Sequence, residues 1–388
     1  MAMLPSLMGR QSFKIGIVYG GISEQKAGMD HFLHQILLAL NDMAPEHRYV
    51  LIDHRRRKSP FRDCFEQLIL DLPGGPLALT RWNLLTVPRV LPQFDLVFSP
   101  GLYGPVRIPS EVSSVMVVPD LTRYLFPHFF SFNPVQKWLD RFAYPAMLKR
   151  YDHLVTISHS TQKDLMTLFK IPEEKTSVVY PWADNLFQPV GDRETLGPFL
   201  KKYGLKKPFI LFLSTLEPRK NLGTLLKAFA GIKEQIPHEL VLVGQKGWKI
   251  DPVFKEMERP ELKGRVHWVG YVPDAERVFF YNAAEFLVFP SWYEGFGMPL
   301  LEAMQCGCPV ITSKTSSMPE VVGEAALLIN PGSTEECQQA MLRLVSERET
   351  AEHLRQAGGE QAVNFSGPLS ASKILEIFEK LIENKKAD

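Results

Sequence analysis

Short, uninterrupted runs of β-branched and aromatic residues recur through this 388-residue chain, and helical periodicity follows them. A strand with one wet face alternates apolar and polar residues. Runs without that alternation fit strands buried on both faces, as in parallel sheets covered by helices. In the first half the runs fall at 13–19, 49–53, 95–99, 114–118, 153–158 and 177–180, with helical stretches at 32–43 and 134–150. In the second half they fall at 208–213, 239–243, 266–269, 286–289, 310–312 and 326–329. After Asn221, residues Leu222, Leu225, Leu226, Phe229 and Ile236 share one helical stripe. The pattern predicts two doubly wound α/β domains in series. Residues 182–207, with Pro189, Gly191, Gly197 and Pro198 and little strand pattern, are the expected junction. A last helical stretch, 370–384, has no strand after it. Ligands of such sheets bind at the carboxyl ends of strands, so the cleft between the domains is the expected site.

Charge and cysteine content narrow the partners. Lys plus Arg is 44 and Asp plus Glu is 43, a formal net charge of +1. Nucleic-acid binding by counterion release needs clustered positive charge, so nucleic acid is not an expected partner. The four cysteines, Cys64, Cys306, Cys308 and Cys337, are too few for a disulfide framework and fit a reducing cytoplasm. The first residues lead straight into a strand-like run and do not read as a signal peptide. No run reaches the roughly 18 apolar residues of a spanning helix.

Three runs carry candidate chemistry. In the first, Pro290 to Met304, a buried strand leads through a glycine loop into a helix with Pro299 near its first position. Gly295 and Gly297 let backbone N–H groups approach a ligand, and the helix N-terminus favours phosphate. Glu294 on the loop and Glu302 a turn into the helix face one crevice. Glu302 is badly placed for phosphate and well placed to accept hydrogen bonds from a ribose diol. A helix cap and a surface glutamate are the plainer reading of the same pair. In the second run, Ser214 to Asn221, Arg219 and Lys220 follow a strand, where a fork and a point charge suit a diphosphate. Asn221 is the expected N-cap of the next helix. A solvated basic loop is the alternative. The third run, Gly20-Gly21 with Gly28 before the first helix, is a weaker phosphate or sugar signal, since no G-x-G-x-x-G is present.

In order, Thr215-Leu-Glu-Pro-Arg-Lys-Asn, Leu240-Val-Leu-Val-Gly, Val269-Gly-Tyr-Val-Pro, Glu294 to Glu302, Cys308-Pro-Val-Ile-Thr and Ser317-Met-Pro-Glu-Val resemble the retaining glycosyltransferases of family four. That resemblance implies the GT-B fold: two Rossmann-like domains facing across a cleft, with the C-terminal helix crossing back to the first. It places an acceptor-binding domain at 1–190 with a returning helix at 366–388, and a donor-binding domain at 200–365. By the same resemblance Arg219 and Lys220 bind the donor diphosphate beside Ser214. Glu302 binds the ribose, and Tyr271 and Val272 flank the base. Glu294 holds the donor sugar together with Gly295 and the backbone of Phe296, Gly297 and Met298. Gly28 lies in the first phosphate loop.

The first half departs from the family pattern. Pro119 stands where many members have His before Asp, leaving Asp120 as the acceptor or sugar contact. Ser214 replaces a common glycine. The expected reaction moves a hexose, mannose foremost, from a nucleotide diphosphate sugar to a glycan or lipid-linked hydroxyl with retention. The run Gly244-Gln-Lys-Gly-Trp248 and the second-half pattern look most like mannosyl-type members that use GDP-mannose, with UDP- and ADP-sugars as alternatives, and no metal or other cofactor is implied. A non-catalytic nucleotide-sugar binding protein of the same fold is the alternative function. A hydrolase using Glu294 and Glu302 fits the adjacent basic loop poorly. The aromatic and basic stretch 124–151, with Phe126, Phe129, Phe130, Phe132, Trp138, Lys137, Arg141, Lys149 and Arg150, and the basic run at 55–58, raise peripheral contact with the inner face of a membrane. Core aromatics with solvated charges are the plainer reading. Tyr103 and Trp182 are candidate acceptor contacts, His159 a candidate cleft residue, and His31 and His34 expected helix-surface residues.

Overall fold

The computed structural model describes residues 11–20, 29–58, 61–75, 77–101, 104–191, 195–205 and 208–387. Two all-parallel sheets organise them. The first contains β1 (Lys14–Val18), β2 (Arg48–Asp53), β3 (Glu66–Ile69), β4 (Leu96–Ser99), β5 (Ser113–Val118), β6 (His153–Thr156) and β7 (Thr176–Val178), in the order β3-β2-β1-β4-β5-β6-β7. The second contains β8 (Phe209–Leu213), β9 (Glu239–Val243), β10 (Val266–Gly270), β11 (Phe286–Phe289), β12 (Val310–Ser313) and β13 (Ala326–Ile329), in the order β10-β9-β8-β11-β12-β13. Both sheets share the doubly wound 3-2-1-4-5-6 order, and each reverses direction once, between β1 and β4 and between β8 and β11.

The sheets form because their central strands have no wet face. Every residue of β4, β5, β8, β9, β11 and β12 is buried, down to Glu239 at the start of β9. The strand pattern read from the sequence holds, with one addition. Edge strand β3 reads Glu-Gln-Leu-Ile, too polar to stand out. In the expected junction the chain forms a short helix, Leu196–Lys202, seated through Phe199 against Phe280 at 4.8 Å.

The last helix, Gly367–Ala387, returns to the first sheet as expected. Phe378 packs edge-on against Phe98 of β4 at 5.2 Å. Ser113 Oγ donates to the Leu381 carbonyl at 3.1 Å, and Lys385 Nζ donates to the Val112 carbonyl at 2.8 Å. The crossing is fixed where Trp182 covers Gly367. A Cβ there would sit 2.7 Å from the indole, so only glycine lets the helix start so close.

The lobes also touch directly. Glu320 of the second lobe accepts the backbone N–H groups of His159 and Ser160, at 2.7 and 3.2 Å, and the Tyr180 hydroxyl at 2.8 Å. A carboxylate from one lobe thus caps the helix His159–Phe169 of the other. Trp248 Nε1 donates to the Phe129 carbonyl, and Lys249 Nζ reaches the carbonyls of His128 and Phe130.

Candidate active site

Between the lobes lies a cleft of about 1150 Å³. On its second-lobe side it opens at the carboxyl ends of β8 and β11, where that sheet reverses direction and the flanking loops part. The loop after β8 supplies Ser214, Arg219 and Lys220, and the loop after β11 supplies Glu294 to Met298. Tyr271 and Val272 enter from the end of β10, Glu302 from the helix Met298–Gln305, and Asp120 from the facing lobe after β5. The donor-site residues expected from the sequence, and Asp120, therefore border one cavity, apart from Gly28, which lies outside the described residues.

The two loops are locked by charge. Arg219 Nη1 donates to Glu294 Oε2 at 2.5 Å and to the Tyr293 carbonyl at 3.0 Å. Its Nη2 lies 2.6 Å from Glu217. Lys220 Nζ donates to Glu294 Oε1 at 2.7 Å. Burial disfavours an ionised Glu294, but Arg219 and Lys220 outweigh it and hold the carboxyl below its usual range. Burial, reinforced by Arg219, pulls the Lys220 ammonium down despite Glu294. Ser316 and Ser317 fix the loop, since Ser316 Oγ accepts from the Glu294 N–H at 2.9 Å and Ser317 Oγ donates to the Glu294 and Phe296 carbonyls. The N–H groups of Phe296 and Gly297 bond to no atom of the described residues, and Gly297 at φ 109° caps the helix behind them. Two cations and free N–H groups at a helix N-terminus make a site for a polyanion.

Gly295 sets how near the lobes come. A Cβ on it would lie 2.1 Å from the Pro119 carbonyl oxygen and 2.9 Å from the Asp120 Cβ. Asp120 turns its own chain, accepting the Thr122 N–H at 2.9 Å.

Glu302 is buried at the other end of the cleft, where Tyr281 Oη donates to its Oε2 at 2.7 Å and Arg277 pairs with the same oxygen. Arg277 also holds Asp274 at 2.9 Å. The sequence reading missed Arg277, Tyr281 and Asp274. Their shared spacing on the helix Asp274–Ala283, directly after Tyr271-Val272, was the available signal.

Relatives decide the family. The model for glycosyl transferases group 1 matches residues 199–361. The O-antigen chain mannosyltransferase B of Escherichia coli is 30% identical over 323 residues, which cover 81% of this chain and 83% of that one. The chain belongs to the group 1 glycosyltransferases. The serotype-specific mannosyltransferase WbdA of Escherichia coli is 26% identical over 62% of this glycosyltransferase, which spans only 30% of that longer relative. In fold, this glycosyltransferase resembles HepE of Anabaena, solved in complex with UDP and glucose, with a TM-score of 0.77 at 19% identity over 95% of this chain and all of that one. It is accordingly an enzyme, a glycosyltransferase of GT-B fold.

Several sequence expectations for the glycosyltransferase are corrected. Asn221 stands at the N-cap position of its helix, as expected, but its side chain makes no hydrogen bond to the helix N–H groups. At φ 59° its side chain turns to donate to the Pro290 and Pro331 carbonyls, tying the β8 loop to the β11 loop. Trp182 is not a cleft residue, because it packs on Phe32 and Gly367. His159 does not line the cleft but starts the helix that Glu320 caps. His34 is buried and stacked on Tyr19 rather than exposed. The basic run 55–58 is broken by Arg57, which is buried against Asp53 at 2.5 Å. Tyr103 lies outside the described residues.

Proposed function

We propose that the enzyme transfers mannose from GDP-mannose to a glycan hydroxyl with retention of configuration. The carrying observation is the convergence of Arg219, Lys220, the free N–H groups of Phe296 and Gly297, and Glu302 on one side of one cleft. Arg219, Lys220 and the helix Met298–Gln305 take the diphosphate beside Ser214. Preorganised charge there stabilises the leaving group as the glycosidic bond breaks. Glu302 accepts from the ribose diol through Oε1, and Glu294 with Gly295 and the backbone of Phe296, Gly297 and Met298 orients the hexose. Asp120 contacts the hexose or the acceptor, and Gly28 belongs to the loop of the facing lobe. No metal is required, because the cationic turn carries the charge of the diphosphate.

Guanine is favoured as the base because Asp274 ends the cleft beside Tyr271 and Val272. A carboxylate can accept the two adjacent N–H donors on the guanine edge, whereas uracil and adenine lack that pair. Both Escherichia coli relatives are named as mannosyltransferases, one of them of the O-antigen chain, which favours mannose and a surface-polysaccharide acceptor.

The proposed division gives acceptor binding to 1–190 with the returning helix 366–388, and donor binding to 200–365. Peripheral membrane contact on the cytoplasmic side rests on residues 134–150. Their helical path passes through a π segment, Leu139–Ala143, and has two sides. Gln136, Leu139, Ala143 and Met147 border the cleft, while Val135, Trp138 and Phe142 are exposed among Lys137, Arg141, Lys149 and Arg150. An acceptor on a lipid carrier would reach the cleft over that surface. The remaining aromatics of the stretch have another role. Phe126 packs on Tyr293 and Phe130 on Trp248, bridging the lobes. No helix of the described residues is long and apolar enough to cross a membrane.

The test is turnover of GDP-mannose, UDP-glucose and ADP-glucose with mannose-containing oligosaccharide acceptors, with the product linkage read by proton NMR. An α-mannosidic product from GDP-mannose supports the reading. A β product, or turnover only with the other donors, contradicts it.

A further inference from the structure

We infer that Arg277 is a positioning residue for the nucleoside, acting through Glu302 rather than on the sugar being transferred. The inference rests on the donor site proposed above and adds to it a side chain that no sequence motif of the chain contains. Arg277 lies on the helix Asp274–Ala283 and borders the cleft. Its Nη1 donates to Asp274 Oδ1 at 2.9 Å, its Nη2 pairs with Glu302 Oε2, and its guanidinium lies 5.3 Å over the Phe187 ring. A planar fork held at both nitrogens and stacked on a ring has few alternative positions.

The consequence falls on Glu302. Arg277 and Tyr281 both donate to Oε2, and Oε1 makes no hydrogen bond to the described residues. The carboxylate is thereby turned so that one oxygen is fully engaged by protein and the other is presented to the cleft. Two cis hydroxyls of a ribose are the matching donors. Arg277 also gives the buried Glu302 a partner of opposite charge, which a carboxylate taken out of water needs. Because Arg277 grips Asp274 as well, the groups proposed to hold the ribose and to read the base are joined by one side chain. Phe187, under the guanidinium, comes from the segment between the sheets, so the nucleoside end of the site is coupled to the crossing between lobes.

The experiment compares GDP with 2′,3′-dideoxy-GDP by calorimetric titration of the full chain, Arg277→Leu and Arg277→Lys, with thermal unfolding as the check on folding. The native enzyme should bind GDP at least tenfold tighter than the dideoxy compound. Arg277→Leu should lose that preference, weakening GDP about tenfold while leaving dideoxy-GDP within twofold. Arg277→Lys should recover part of it and serves if the leucine variant does not fold. In turnover, KM for the donor should rise with kcat little changed, as for binding shared equally by ground and transition states. An equal weakening of both nucleotides, or a preference retained in both variants, overturns the inference alone. A native enzyme indifferent to the diol overturns the assignment of Glu302 and the inference with it.

Discussion

Lys220 Nζ and Glu294 Oε1 lie 2.7 Å apart, and each side chain is only 7% exposed. A pair so deep is held by mutual charge. Removing one partner of a buried pair costs about 3–5 kcal/mol when the other is left alone. Here Arg219 shares Glu294, so Lys220→Met should cost less than Glu294→Gln, which takes the carboxylate partner from Lys220 and leaves Arg219 with Glu217 alone. Acid should reveal the pair. The folded carboxyl titrates below its ordinary 4.5, so its contribution is complete above that value and fades as pH falls beneath it. The Tm gap between native enzyme and Glu294→Gln should be constant from pH 7 to about 5 and narrow below 4.5. A gap unchanged down to pH 3 would count against an ionised Glu294.

Gly295 faces the Pro119 carbonyl with no room for a methyl group. Gly295→Ala should force the first lobe back by about an ångström, and misplacement of that size costs on the order of 100-fold in turnover. GDP binding should stay within twofold, because the diphosphate groups come from the other lobe. Steady-state kinetics beside calorimetry separates the two. Native turnover in this variant would mean that the lobes do not meet there during catalysis.

Glu320 is the strongest single tie between lobes, with three hydrogen bonds crossing the gap. Glu320→Ala removes the carboxylate that accepts the first two N–H groups of the helix at His159, which keeps its N-cap Ser158, and a charge at a helix N-terminus is worth about 0.3–1 kcal/mol. It should also shift the enzyme toward open forms. Small-angle scattering should give a larger radius of gyration, and KM for the acceptor should rise while GDP affinity holds. An unchanged radius would place the closing force elsewhere, at Trp248 and Lys249.

The parts legible in the sequence were those set by local chemistry. Buried runs such as Phe209–Leu213 read as strands because nothing polar interrupts them. The loop Glu294–Met298 read as lining a crevice because it leaves a buried strand for a helix through two glycines, and it does border the cleft. What escaped depended on how elements meet. Arg277 matters only because its helix lies against the one bearing Glu302. Arg57 sits in a basic run yet is buried, because Asp53 at the end of β2 neutralises it. Asn221 has the right chemistry for a cap, but two proline carbonyls compete for its amide. The π segments Trp82–Thr86 and Leu139–Ala143, both bordering the cleft, have no sequence signature at all.

The exposed stripe of Val135, Trp138 and Phe142 makes a separate prediction. The enzyme should sediment with vesicles containing anionic lipid at low salt, and Trp138→Ser with Phe142→Ser should abolish this. Turnover on a water-soluble acceptor should not change, since both side chains face away from the cleft lining. Sedimentation that survives the double variant would assign the contact to another surface.

The central claim is that a cationic turn after β8 and a carboxylate a turn into the helix after β11 grip the two ends of a nucleoside diphosphate. Calorimetric titration of GDP into the native enzyme and Lys220→Ala measures it most directly. One GDP should bind per chain, at least tenfold more weakly in the variant, while guanosine binding stays the same in both. Equal GDP affinity in both proteins, or no binding of GDP, UDP or ADP to the native enzyme, would contradict the account.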